Sequence, residues 1–102
     1  MEYLYNFGLD KNDIEEIKMN VDEEIFSDLF LFQNIVIENI QFLKDFGITN
    51  YSQVIVKYPE IFLRDAESFK NVFSKFDRED LIVKIQKNVA VIKKMVDFVD
   101  NN

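Results

Sequence analysis

Two glycines stand in near-copies of one short phrase, Asn6-Phe7-Gly8-Leu9-Asp10 and Asp45-Phe46-Gly47-Ile48-Thr49, and with Pro59 they are the chain's only glycine or proline residues. So few turn-forming residues leave little material for the many tight turns of a β-sandwich or barrel. Each phrase reads instead as the end of one helix and the start of another. Glycine takes the left-handed conformation that closes a helix, and the apolar residue after it, Leu9 or Ile48, folds back onto the last turn. Asp10 or Thr49 then caps the helix that follows.

The correspondence extends beyond the glycines. A short amphipathic segment follows each phrase, with Ile14 and Ile17 in the first copy and Val54 and Ile55 in the second. Glu23-Glu24-Ile25-Phe26 then matches Pro59-Glu60-Ile61-Phe62, and Pro59 suits the first turn of a helix, where its missing N–H costs nothing. Phe76-Asp77-Arg78-Glu79-Asp80-Leu81 gives a weaker third echo of Leu9-Asp10-Lys11-Asn12-Asp13-Ile14. A period of roughly 36–39 residues lies in the range of helical solenoids, whose units bury their faces by stacking.

The expectation is one all-α domain over residues 1–102, a small helical repeat or orthogonal bundle of five to six helices closed by a long C-terminal helix. The helices are expected near residues 11–19, 22–45, 50–57, 59–63, 66–75 and 78–99, with 22–45 open to division into a short and a long helix. Within 22–45, one helical stripe runs Leu29, Phe32, Val36, Ile40, Leu43, Phe46 and a second runs Leu31, Ile35, Phe42, which predicts a central buried helix. The rival is a β-hairpin, Leu29–Phe32 against Ile35–Ile37, turning at Gln33-Asn34 without the glycine such a turn favours. The last helix carries Leu81, Ile85, Val89, Ile92, Val96 and Val99 on one stripe and Val91, Met95 and Phe98 on another. It is therefore either sandwiched in the core or the contact of a homodimer.

Leu43, Phe46-Gly47-Ile48, Val54-Ile55 and Tyr58-Pro59-Glu60-Ile61-Phe62 resemble the repeat of the mitochondrial transcription termination factor family. The first unit shares Phe7-Gly8-Leu9, Ile14 and Ile17 but has Asp22 or Glu23 where that repeat has proline. The matches cover residues 3–80, about two repeats and a fragment. The resemblance implies a stack of helical units, with nucleic acid bound along a basic face.

Composition removes most chemistries. With 48% hydrophobic residues at net charge −7, the chain is too apolar to remain disordered. It has no histidine and no cysteine, which excludes disulfides, the usual zinc sites and any nucleophile–histidine pair. Neither a phosphate-cradling loop nor an acid–base constellation is discernible, so no catalytic residue, metal ligand or cofactor is expected. The acidic clusters Asp10/Asp13/Glu15/Glu16, Asp22/Glu23/Glu24 and Asp77/Glu79/Asp80 read as helix caps, with capping spacing in Asp77/Asp80 and Asn20/Glu23. The four-residue run Leu29–Phe32 is too short to span a bilayer, and Met1–Tyr5 does not look like a leader, which predicts a soluble cytoplasmic protein. Abundant Ile, Asn, Lys, Phe and Asp point to AT-rich coding, as in a low-GC bacterium.

Charge is unevenly spread. Residues 1–69 hold fourteen Asp/Glu against five Lys/Arg, a net of −9, whereas residues 70–94 hold three against seven, a net of +4. Lys84, Lys87 and Lys94 share a face of the last helix at spacings of three and seven, and with Arg78 they form the candidate phosphate-contacting set. Two functions follow. The first is a non-catalytic protein-binding or regulatory module with an acidic surface, its partner a protein. The alternative is a small nucleic-acid-binding helical-repeat protein using the lysine-rich face.

Overall fold

The computed structural model describes residues 1–101. Among these are seven α-helices, two 3-10 turns and no strand. In chain order they are an N-terminal 3-10 turn (Glu2–Phe7), α1 (Lys11–Asn20), α2 (Glu23–Leu31), α3 (Gln33–Phe46), α4 (Tyr51–Lys57), a central 3-10 turn (Pro59–Leu63), α5 (Ala66–Ser74), α6 (Arg78–Lys87) and α7 (Ala90–Asp100). The chain is all-α, as the scarcity of turn residues implies. The rival hairpin does not form, because its residues lie in α2 and α3.

Both glycines close a helix in the left-handed conformation, Gly8 with φ 88° and Gly47 with φ 109°. At the first, the N–H of Gly8 donates to the Tyr5 carbonyl at 3.1 Å and that of Leu9 to the Leu4 carbonyl at 3.3 Å. At the second, the N–H of Gly47 donates to Lys44 at 3.2 Å and that of Ile48 to Leu43 at 3.1 Å. Each turn thus recaptures two carbonyls that a helix end leaves unpaired. Leu4, Leu9, Leu43 and Ile48 are all buried, so the residues flanking each turn enter the core.

Acidic residues cap four helix starts. Asp10 accepts from the Asp13 N–H at 2.8 Å while the Asp13 carboxylate accepts from the Asp10 N–H at 2.9 Å, a reciprocal capping box. Asp22, Asp65 and Asp77 accept in the same way from Ile25, Ser68 and Asp80. Two expected caps are otherwise engaged. Thr49 Oγ1 accepts from Gln86 Nε2 at 3.0 Å, and Asn20 Nδ2 donates to the Val56 carbonyl at 2.8 Å. In both places a partner more than thirty positions away in sequence takes the group that local spacing assigned to a cap.

Two long helices are broken. The 22–45 segment divides at Phe32, whose φ of −107° and ψ of 33° leave the helical region. Leu31 and Phe32 consequently lie exposed at a corner, where the stripe pattern placed them inside. The long C-terminal helix is also two: Asn88 is extended at φ −156°, ψ 109°, and its side-chain oxygen accepts from the Ala90 N–H at 3.0 Å. Asparagine offers the backbone a local partner in place of the helical one, which ends α6 and starts α7.

The core is organised around α3, which buries Val36, Asn39, Ile40 and Leu43. It packs on α2, α4, α5 and the central 3-10 turn. Phe42, Phe46, Phe62, Phe69 and Phe73 form one aromatic cluster with neighbouring ring centroids 5.3–5.9 Å apart. Their tilted and edge-on geometries are the favoured arrangements of aromatic pairs.

The two glycine turns differ in their surroundings. A Cβ on Gly8 would meet nothing within 4 Å, whereas one on Gly47 would lie 2.9 Å from Ile82 Cδ1. Gly8→Ala is expected to cost about 1 kcal/mol from the left-handed backbone alone, and Gly47→Ala about 2 kcal/mol because Ile82 must also yield. Urea unfolding followed by circular dichroism checks the order. Equal losses, or a larger one at Gly8, would contradict it.

Candidate functional site

The four cations singled out by sequence do not form one face. The break at Asn88 separates Lys84 and Lys87 on α6 from Lys94 on α7, so the helical spacing that linked them does not apply. Lys84 and Lys94 do meet across a small cleft of about 230 Å³ between the two helices, floored by Leu81, Val91 and Met95; Lys87 does not line it. Lys84 is already paired with Asp80 at 2.8 Å, and Lys93 with Asp97 at 3.7 Å. Arg78 is a structural pin. Its Nε donates to the Phe46 carbonyl at 2.8 Å, and its guanidinium stands 5.6 Å from the Phe46 ring centroid. It thereby caps the end of α3 beside the Gly47 turn.

A second concavity, between α1 and α2, is larger. Met1, Lys18, Glu23, Phe26, Ser27 and Phe30 line an open groove of about 610 Å³ where α1, α2 and the chain start come together. Phe30 is 54% exposed, and the corner residues Leu31 and Phe32 that follow it are 66% and 49% exposed. Lys18 Nζ sits 5.9 Å from the centroid of the Phe26 ring, near enough for a cation–π contact. Periodicity missed this surface because it assigned Leu31 and Phe32 to buried stripes. The signal was the run Leu29-Phe30-Leu31-Phe32 itself: four consecutive apolar residues cannot all face inward on one helix, and only Leu29 is buried.

The groove has a firm back. The buried Tyr3 hydroxyl donates to the Leu29 carbonyl, one of the last-turn carbonyls that α2 cannot pair internally. Burial holds the Tyr3 phenol well above the ordinary tyrosine range, so it stays a donor throughout the neutral and mildly alkaline range. Elsewhere, Arg64 and Asp100 form a two-point ion pair at 2.9 and 3.1 Å, and the hydrogen bond from Arg64 holds the Asp100 carboxyl below its usual range. Among the described residues, no group of three or more acidic side chains is placed to hold a metal ion, and no helix is long and apolar enough to cross a membrane.

Comparison of the chain with family models, with curated proteins and with solved structures finds no match.

Arg78 and Lys87 carry the same charge in different settings. Arg78→Met is expected to cost about 1 kcal/mol through loss of the Phe46 contacts, and Lys87→Met less than about 0.5 kcal/mol. Chemical denaturation of the two variants distinguishes them, and equal losses would show that Arg78 is not a pin.

Proposed function

We propose that this chain is a non-catalytic protein-binding or regulatory module whose acidic helical surface engages a basic protein partner. The observation that carries the reading is the net of −9 over residues 1–69, with Glu15 and Glu16 on α1 and Glu23 and Glu24 on α2 all exposed. Such a field steers a basic partner and repels polyanions. The cationic segment offers little in return, because Arg78, Lys84 and Lys93 are engaged within the chain. A cytoplasmic setting agrees with the absence of cysteine.

The second reading, a nucleic-acid-binding helical repeat, draws support from packing. Elements that correspond in the two sequence units lie against each other: α1 on α4, α2 on the central 3-10 turn, and α3 on α5. That is how the units of a solenoid stack, so the repeat is kept as part of the proposal. Its function is ranked second because about three lysine contacts supply only weak, shallowly salt-dependent affinity for phosphates, with a larger acidic region close by.

Affinity capture with the tagged chain from its native cells, analysed for both protein and nucleic acid, is paired with anisotropy titration of labelled duplex DNA and RNA at two salt concentrations. The expected outcome is a protein with a basic contact surface, released by salt, and nucleic-acid affinity no tighter than millimolar. Sub-micromolar nucleic-acid binding that collapses when Lys84, Lys87 and Lys94 become glutamate would reverse the ranking.

A further inference from the structure

We infer that the groove between α1 and α2 is the docking site for a basic amphipathic helix of the partner protein, its apolar side chains seated on Phe26 and Phe30 and its cations on the acidic rim. This rests on the protein-binding reading and gives it an address. Three observations converge. The groove, at about 610 Å³, is of ligand-binding size and is floored by large apolar side chains. The apolar run continues past the groove along the chain, since Leu31 and Phe32, which follow Phe30, are exposed as well. A soluble monomer has no internal use for consecutive exposed side chains of that size.

Charge decides the occupant. Residues 10–31, which form α1 and α2, hold eight acidic residues against Lys11 and Lys18. Lys18 and Glu23 both line the groove, so the acidic excess lies on the exposed Glu15, Glu16, Asp22 and Glu24 of the same two helices. A second copy docking through this same acidic face would set like charges opposite one another. An anionic membrane surface would be repelled for the same reason. A helix with apolar residues at i, i+3, i+4 and i+7 and Lys or Arg flanking them satisfies both halves of the surface. Lys18 already stands over the Phe26 ring, so the cations of an incoming helix are met by the exposed glutamates rather than by that ring.

The test uses three labelled peptides of about 18 residues, five helical turns. One is a Leu/Lys amphipathic helix, one its Leu/Glu counterpart, and one a Lys/Ser peptide of equal charge without an apolar face. Anisotropy gives affinities and nitrogen-15 correlation spectra give the site. The proposal requires the Leu/Lys peptide to bind about tenfold or more tightly than either control. Its shifts should centre on Lys18, Phe26 and Phe30. Phe30→Ser with Leu31→Ser, both exposed in the native chain, should weaken it about tenfold or more with the melting temperature unchanged. Glu23→Lys with Glu24→Lys should do the same through the rim. Equal binding by the serine variant, shifts centred on α6 and α7, or preference for the Leu/Glu peptide overturns the groove. If the Lys/Ser peptide still binds in that case, the acidic module stands without this site; if no cationic peptide binds at all, both fall. Self-association abolished by the serine pair, or binding to anionic vesicles, likewise overturns it.

Discussion

The buried carboxamide of Asn39 donates to the carbonyls of Phe62 and Arg64 at 3.0 and 2.8 Å while its own oxygen has no partner, and this pair of hydrogen bonds joins α3 to the turn on which the core packs. The central 3-10 turn pairs its Ile61 carbonyl with the Arg64 N–H but leaves the Phe62 carbonyl, and that of Arg64 just beyond it, to other donors, and Pro59, Ile61 and Phe62 are buried. Leaving the buried one, that of Phe62, unpaired would cost about 1–3 kcal/mol. Asn39 supplies both donors from the middle of α3, and so one residue lets the turn sit where α2, α3 and α4 all pack on it. The Phe62 ring, delivered by the same turn, continues into Phe69 and Phe73 and ties α5 to the core.

What could be read from the sequence follows from which constraints are local. A left-handed helix end excludes nearly every residue but glycine, so Phe7-Gly8-Leu9 and Phe46-Gly47-Ile48 announced two helix ends unaided. The aspartate caps at Asp10 and Asp77 were legible for the same reason, since donor and acceptor lie three residues apart. A division of 22–45 into a short and a long helix was open from the sequence, but its place at Phe32 was not, nor was the break at Asn88, because neither position carries glycine or proline and apolar spacing runs through both. Leu29, Val36, Ile40 and Leu43 would fit one continuous helix face, and only tertiary packing turns the chain between the first two. Asn39 was equally silent. A polar residue amid an apolar stripe gives no hint that two distant carbonyls need it.

The same breaks decide how the candidate side chains are grouped. An unbroken C-terminal helix would have aligned Lys84, Lys87 and Lys94; the Asn88 break divides them, while Asp80 and the Phe46 carbonyl take up Lys84 and Arg78. The Phe32 break does the reverse, bringing apolar side chains outward onto a corner beside the acidic α1 and α2. The proposed function thus rests on where the helices stop. The groove is held in shape by the interior it backs onto, with Tyr3 clamped to Leu29 and α2 resting on the turn that Asn39 secures.

The most direct measurement of this account is the equilibrium unfolding of an Asn39→Leu variant, which keeps side-chain size and adds apolar surface. If the carboxamide is what permits the central turn to be buried, the substitution leaves two carbonyls without donors and lowers stability by about 2 kcal/mol. Amides of the turn should then lose hydrogen-exchange protection before those of α3. A neutral or stabilising effect, with exchange unchanged, would contradict the central place given to Asn39.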